Sequence, residues 1–548
     1  MHQAAIQVLQ RRWSLPDSAV PIVERFFLAW SDGHTSLKVS IDEAELLSGL
    51  PAVSDGRLTQ NPTPLVLRGR SLQSWSLAQA EIRVAHNLRR LLEDRVGNNT
   101  LASHQDILRD LFPDGASRQR LAAETCLRSS LTLLTGGPGT GKTTVTARML
   151  ALLGVIHPHA RMALAAPTGK AAARLGEVID NEASQLEGAV TRARPKLAEA
   201  ASRARTVHGL VGWNPKVNFC RFHSDNPLPF DVVVIDEASM LDLLLWDHLL
   251  QSLAPGTRLI VVGDHRQLAS VQPGRVLGEM VDAAQIGPLA GCHVELTRNY
   301  RFAPDHGIGR LASAIRDHDG PKAIEVLGNT DFRNGLDHYP SNRVGDALEH
   351  IWSDIRRVVQ STTPTAALKA LAKVRILCAL REGPYGVEGI NGLIEAKLRR
   401  EGFPAGRWAH GRPILVTAND PHCGLYNGDL GVLLADKEGS GPAAWFPGAS
   451  APRCVPVAAL RNYNTAWGLT VHRSQGSEFD TVLLVLPPDP HQLCGPELFY
   501  TAVTRARARL LVAANDSAVI AASQPRPHRR TELLRALYDL REMETKDE

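Results

Sequence analysis

Three features are missing from this 548-residue sequence: an excess of one charge, closely paired cysteines and long apolar runs. Lysine and arginine number 61 against 57 acidic residues, a net charge of only +4. Any surface for a polyanion must therefore be a local groove, because no global field advertises it. Cys126, Cys220, Cys292, Cys378, Cys423, Cys454 and Cys494 are scattered without one C-x-x-C pair. That argues against a zinc or iron–sulfur site and suits reduced thiols in a cytoplasm. No apolar stretch is long enough to span a bilayer. The opening MHQAAIQVLQRRW has no apolar signal core ahead of a cleavage site, so no membrane association is expected.

Against these absences stands Gly136–Thr143, GGPGTGKT, lying between the apolar run Leu131–Leu134 and a helical stretch Thr143–Leu153. Small residues let the backbone wrap an anion so that its N–H groups cradle phosphates. The helix N-terminus behind the loop adds the positive end of its dipole. Gly136, Gly137, Pro138, Gly139, Thr140, Gly141, Lys142, Thr143 and Thr144 are therefore the candidate nucleotide-binding residues. Lys142 is suited to reach the β- and γ-phosphates of ATP, and the Thr143 hydroxyl to take a Mg²⁺ position. Further along, Asp231–Glu237 reads DVVVIDE, a β-branched run that suits a strand buried on both faces. Asp236 at its end is placed to hold Mg²⁺ through water, and Glu237 to polarise an attacking water. Two adjacent acids alone also describe a solvated strand end; with the phosphate loop upstream they imply ATP hydrolysis.

The length corresponds to roughly three or four domains, and a hydrophobic fraction of 44% is enough for sizeable cores. Residues 1–105 read as a helical docking domain. Within it Ser76–Asp94 carries Leu77, Ile82, Val84, Ala85, Leu88 and Leu91 in an amphipathic pattern. Over 106–292, strand candidates Leu131–Leu134, Ala163–Ala166, Val232–Ile235 and Leu259–Val262 alternate with helical segments. That rhythm belongs to an α/β domain with a parallel sheet. Asn181–Arg205, rich in Ala, Glu and Arg, reads as a surface helical excursion. A second α/β series over 293–407 and 466–548 has Val374–Leu377, Val482–Leu486 and Leu510–Ala513 as strands. Residues 408–465, dense in Gly, Pro, Asn and Asp, read as a small β insertion with a tight turn at Asn427–Asp429. Near the C-terminus Leu533, Leu537 and Leu540 recur at helical spacing.

Further motifs follow in order: Pro167–Leu175 (PTGKAAARL), Gly263–Leu268 (GDHRQL), Leu296–Phe302 (LTRNYRF), Thr470–Phe479 (TVHRSQGSEF) and Tyr500–Arg507 (YTAVTRAR). Together they resemble the motif set of superfamily 1 DNA helicases. The likeness is closer still to the RecD family, the alpha subunit of exodeoxyribonuclease V. It is carried by HSDNPLPFDVVVIDEASMLDL, LTRNYRFAPDHGIG, ILCALREGPYGVEGIN, GRPILVTANDPHCGLYNGDLG and AWGLTVHRSQGSEFD. It covers about residues 110–515 and matches the first hundred only loosely.

The resemblance implies two RecA-like P-loop motor domains, a helical N-terminal domain and an SH3-like β insertion. It implies that Gln267 senses the γ-phosphate, that Arg301 and Arg505 reach into the ATP cleft, and that Gln119 reads the adenine edge. Arginine suits that role because it is always charged and grips phosphoryl oxygens bidentately. Thr168, Lys170, Thr206 and His208 are implied to line the DNA path of the first motor domain, and Thr470, His472, Ser474, Gln475 and Glu478 that of the second. Short hydroxyl and amide donors suit sugar–phosphate contacts that do not read sequence; either histidine also fits a buried core position. The family implies 5′→3′ movement on DNA and assembly at DNA ends with RecB- and RecC-like subunits into a helicase–nuclease for double-strand breaks. No nuclease constellation of acids and lysine is apparent in this chain, so cleavage is expected in a partner.

Two other readings stay open. A stand-alone RecD-like helicase usually carries a longer N-terminal region with helix–hairpin–helix repeats, which the first 105 residues do not show. A regulatory subunit that binds ATP without moving would be expected to lose part of the set Lys142, Asp236, Glu237, Gln267, Arg301 and Arg505. A relaxase–helicase fusion is disfavoured, because the N-terminal region has no tyrosine to act as nucleophile.

Overall fold

The computed structural model describes residues 2–55, 62–93, 103–113, 117–302, 306–332, 335–404, 406–420, 422–435, 441–448 and 451–544. The chain forms two compact units. The first comprises Met1–His265, Ala269–Arg298 and Pro527–Glu548; the second comprises Arg266–Leu268 and Asn299–Arg526.

The first unit is built on six parallel strands. Their order is His293–Leu296, Leu131–Gly136, Arg258–Gly263, Val232–Ile235, Met162–Ala166 and Arg205–Thr206. All residues of the four central strands are buried, which explains their near-continuous apolar runs. The helix Lys142–Ile156 is buried along most of its length, and its sequence is correspondingly apolar on nearly every side. Asn181–Arg205 is not a surface excursion. The turn Gly188–Ala193 and the helix Arg194–Ser202 add Val190 and Leu197 to the same apolar cluster as the Lys142 helix. Small residues permit this: a Cβ on Gly176 would lie 2.6 Å from Ala201 O.

The N-terminal region has its own core around Val23, Phe26, Leu47 and Leu72. It is not purely helical. A four-stranded sheet runs in the order Ser36–Lys38, Ser71–Ser74, Leu65–Arg68, Val53–Ser54, and strands this short leave little periodicity to read. The helix Trp75–Glu93 belongs instead to the core of the six-stranded sheet, where Leu77, Val84, Leu88 and Leu91 are buried beside Leu131 and Trp246. Leu533 and Leu537 of the C-terminal helix Leu533–Glu544 join that cluster, while the Leu540 side chain lies outside the described residues. Two sequence boundaries shift accordingly. His293–Leu296 pairs with Leu133–Gly136 and stays in the first unit, and residues 527–548 return to it rather than ending the second.

The second unit has five parallel strands in the order Leu336–Tyr339, Ala506–Ala513, Phe479–Val485, Val374–Cys378, Gly468–Thr470. Its insertion is an antiparallel five-stranded sheet, Arg453–Pro456, Ala443–Phe446, Leu430–Leu434, Pro413–Val416, Tyr463–Thr465, around Ile414, Leu433 and Phe446. Asn427–Asp429 does turn, with Asp429 N donating to Tyr426 O at 3.0 Å. It closes a longer loop, however, not a two-residue hairpin. Among the described residues no helix is long and apolar enough to cross a membrane.

Candidate functional site

Loops after parallel strands gather at one edge of a sheet, the usual place for ligands in such folds. Leu131–Gly136 brings the phosphate loop to that edge, and Val232–Ile235, one strand removed, brings Asp236. Glycine is required in the loop: Gly139 and Gly141 have φ of +78° and +82°. A Cβ on Gly136 would lie 2.7 Å from both Leu296 O and Thr140 Oγ1. Gly141 then opens the helix Lys142–Ile156, whose first N–H groups have no partner within the helix.

Lys142 Nζ donates to Gly136 O at 2.7 Å and Gly137 O at 3.0 Å, while the Thr140 hydroxyl donates to Gly137 O at 2.8 Å. The ammonium is thus kept on the loop by weak acceptors that phosphate oxygens would outcompete. The Thr144 hydroxyl donates to Glu182 Oε1 at 2.9 Å, so what Thr144 offers a phosphate is its backbone N–H. Gln119 is half-buried on the helix Ser117–Arg128.

Asp236 Oδ1 accepts from Glu237 N at 2.8 Å. Burial first, then the Glu237 charge, pushes the Asp236 pKa up to about 6, against the opposing effects of the Glu237 N–H, Lys142 and Arg174. A cation at this carboxylate would offset both raising effects. Glu237 itself has φ +50°, a left-handed backbone for a residue that is not glycine. That conformation ends the strand at the acidic pair, with the Glu237 charge still close enough to act on Asp236. Arg174 lies in the motif PTGKAAARL without a role assigned from the sequence, and the fold brings its charge near Asp236. Among the described residues no group of three or more His, Cys, Asp or Glu could hold a metal. Thr143 and Asp236 are the kind of sparse set that suits Mg²⁺ shared with phosphate oxygens and water.

Thr168, just past the strand Met162–Ala166, and Thr206, the last residue of the neighbouring strand Arg205–Thr206, both cap helices. Thr168 Oγ1 accepts from Ala171 N at 3.2 Å, and Thr206 Oγ1 from Gly209 N at 3.1 Å. Each hydroxyl keeps its proton to donate elsewhere. Lys170 and His208 are exposed, so His208 is not a core histidine.

In the second unit the candidates divide. Ser474 is buried with its hydroxyl on Val471 O at 2.7 Å, and Gln475 Nε2 donates to Leu268 O at 2.9 Å. Glu478 accepts from Arg301 Nη2 at 2.6 Å and from Arg507 Nη2 at 3.2 Å. Those three side chains are engaged within the protein. Arg505, buried, donates to Gln267 Oε1 at 2.6 Å, Ser477 O at 3.2 Å and Thr501 O at 3.1 Å. Thr470 differs: with Arg381, Asn391, Thr465 and Arg473 it lines a groove of about 500 Å³. Burial and then the Arg381 charge lower the Arg473 pKa, the mark of two cations that would welcome an anion. His472 is half-buried beside it in sequence. Arg381 and Asn391 lie in the stretch ILCALREGPYGVEGIN and Arg473 in TVHRSQGSEF, but the sequence alone assigned none of them a role.

Comparison with known proteins places these features among helicases. An AAA domain model matches residues 119–273, and a UvrD-like helicase C-terminal domain model matches residues 465–513. The RecBCD enzyme subunit RecD of Mycobacterium tuberculosis is 42% identical over 424 residues, spanning 76% of this chain and 72% of that protein. The protein of the same name from Haemophilus influenzae is 32% identical over 554 residues, 88% of this chain and 83% of its own. The ATP-dependent RecD2 DNA helicase of Deinococcus radiodurans is 31% identical over 88% of this chain and 62% of its own length.

Proposed function

The chain belongs to the RecD family of DNA helicases, and from that membership we propose that it is the 5′→3′ motor subunit of a RecBCD-type helicase–nuclease working at DNA double-strand ends. The coarser activity follows from the family: it is an ATP-dependent DNA helicase. One observation carries the catalytic reading, the glycine-shaped loop that holds Lys142 at the same sheet edge as the Asp236–Glu237 step.

Lys142 and the N–H groups of Gly139–Thr144 bind and orient the triphosphate. Thr143 and Asp236 would hold Mg²⁺, which when bound supplies charge neutralisation at the phosphoryl oxygens. Glu237 takes the proton from the attacking water. Gln267 orients that water, and Arg301 and Arg505 stabilise the charge that develops on the transferred group. Gln119 contacts the base. Thr168, Lys170, Thr206, His208, Thr470 and His472 touch the strand, whereas Ser474, Gln475 and Glu478 act by shaping the surface around it. The insertion 408–465 serves as the SH3-like module beside the strand. Assembly with RecB- and RecC-like subunits supplies the nuclease. A cytoplasmic site of action is favoured by seven cysteines that are all free.

Lys142→Gln should abolish DNA-stimulated ATP hydrolysis and unwinding, and retention of either overturns the site. Duplexes with a 5′ tail should be unwound by the wild type and those with a 3′ tail should not. Native purification should return the chain with two larger polypeptides; a lone chain near 59.6 kDa would favour a stand-alone helicase.

A further inference from the structure

Within the first unit, the helix Gly169–Ser184 carries side chains with different jobs along its length. At its start Thr168 caps the first turn through Ala171 N, and exposed Lys170 follows. Arg174 then brings its charge near Asp236. In the last turn Glu182 Oε1 accepts a hydrogen bond from the Thr144 hydroxyl at 2.9 Å. Thr144 lies two residues past Lys142, in the first turn of the helix that the phosphate loop opens. Lys170 and Glu182 are about 18 Å apart along a straight helix. One element therefore runs from the side chains read as DNA contacts to the residues behind the phosphate loop.

The packing of this helix lets it act as one piece. Leu175, Ile179 and Ala183 recur every four residues and share an apolar cluster with Val145 and Met149 of the helix Lys142–Ile156. Gly176 backs onto the helix Arg194–Ser202, where a Cβ would lie 2.6 Å from Ala201 O. Apolar contacts are non-directional and leave small axial shifts cheap. The Thr144–Glu182 bond is directional and charge-assisted, so it penalises such shifts and ties the end of one helix to the start of the other. A displacement begun at Thr168 and Lys170 is thereby delivered to the turn that carries Lys142 and Thr143.

We propose that Glu182 is a positioning residue that transmits strand binding at Thr168 and Lys170 to the phosphate loop, through the Thr144 hydroxyl. The proposal rests on the reading of Lys170 as a DNA contact, and its test separates the two. On the full-length chain, ATPase is measured with and without single-stranded DNA for Glu182→Ala, Glu182→Gln, Thr144→Val and the Glu182→Ala/Thr144→Val pair. Anisotropy gives DNA affinity for these and for Lys170→Ala, with and without a non-hydrolysable ATP analogue. Glu182→Ala should lower the DNA stimulation of kcat about fivefold, while basal ATPase and nucleotide-free DNA affinity stay within about twofold. The change in DNA affinity that the analogue causes should shrink with it. Glu182→Gln keeps an acceptor for the Thr144 hydroxyl and should retain most of both effects. Thr144→Val should lose the stimulation as Glu182→Ala does, and the double variant should lose no more, because both remove one bond. If Lys170→Ala binds DNA as the wild type does, with the same salt dependence, the DNA reading falls and the proposal with it. If Lys170→Ala binds weakly and Glu182→Ala keeps full stimulation, the proposal alone is overturned. Equal losses of basal and stimulated rates in both Glu182 variants would reduce Glu182 to a folding role and overturn it as well.

Discussion

Arg301 Nη2 donates to Glu478 Oε1 at 2.6 Å, and the Glu478 side chain is only 9% exposed. Its second oxygen takes Arg507 at 3.2 Å. One acid therefore orients the arginine proposed for the γ-phosphate, so Glu478 should govern ATP turnover before DNA affinity. Glu478→Gln keeps the shape and loses the charge. It should cost roughly 2 kcal/mol of stability, below the range for breaking a fully buried pair, and lower the stimulated kcat. Anisotropy of a labelled oligonucleotide should show affinity nearly unchanged at fixed salt. A large loss of affinity at full kcat would put Glu478 in the DNA path.

The Asp236 carboxyl titrates near 6 in the folded chain, against an ordinary value of 3.8. A raised carboxyl pKa means that the folded state holds the proton more tightly than the unfolded. The stability this group contributes is complete below about pH 4 and lost as pH rises through about 6. Asp236→Asn should therefore raise the thermal stability of the nucleotide-free protein at neutral pH, by at most about 3 kcal/mol. The advantage should shrink as pH falls towards 4, while activity is lost throughout. Melting curves across pH check this, and a gain that does not vary with pH would show that the buried charge is not its cause.

Gly136→Ala should fail for a backbone reason. The added Cβ would meet Leu296 O at 2.7 Å, and Leu296 is locked opposite Gly136 by the parallel pairing of their strands. Relief requires moving the loop or opening the sheet edge. The expected result is at least about tenfold weaker ATP binding, with a stability loss of about 1–3 kcal/mol, as for overpacking. Calorimetric titration at full wild-type affinity would show that the loop tolerates the methyl.

Thr206 combines a cap with a spare proton. Thr206→Val should remove both, costing about 1 kcal/mol of stability and weakening single-stranded DNA binding, whereas Thr206→Ser should keep both. Lys170→Ala should weaken binding to all sequences alike and reduce the salt slope by about one. Titrations at several salt concentrations distinguish the two, and an unchanged slope would remove Lys170 from the backbone contacts.

The catalytic loop was legible because its function dictates local backbone. Gly139 and Gly141 sit at positive φ, and a run such as Val232–Ile235 has no reason to be β-branched and wholly apolar unless buried on both faces. The strand His293–Leu296 escaped notice because it alternates half-buried His293 and Glu295 with buried Val294 and Leu296, too short a pattern to stand out. Partners were the least visible. Arg301 and Glu478 are 177 positions apart, and nothing local to either shows that they pair. Ser474 illustrates the same limit: a motif position does not reveal that its hydroxyl turns inward to Val471 O.

The return of residues 527–548 to the first unit has a consequence for biosynthesis. Its six-stranded sheet is complete once Leu296 has been made, yet Leu533 and Leu537 belong to the core that covers Leu77 and Leu88. Synthesis runs from the N-terminus, so this half of the protein waits for the other to be translated before it can seal. Until then Leu77 and Leu88 lack part of the apolar cover they have in the finished fold.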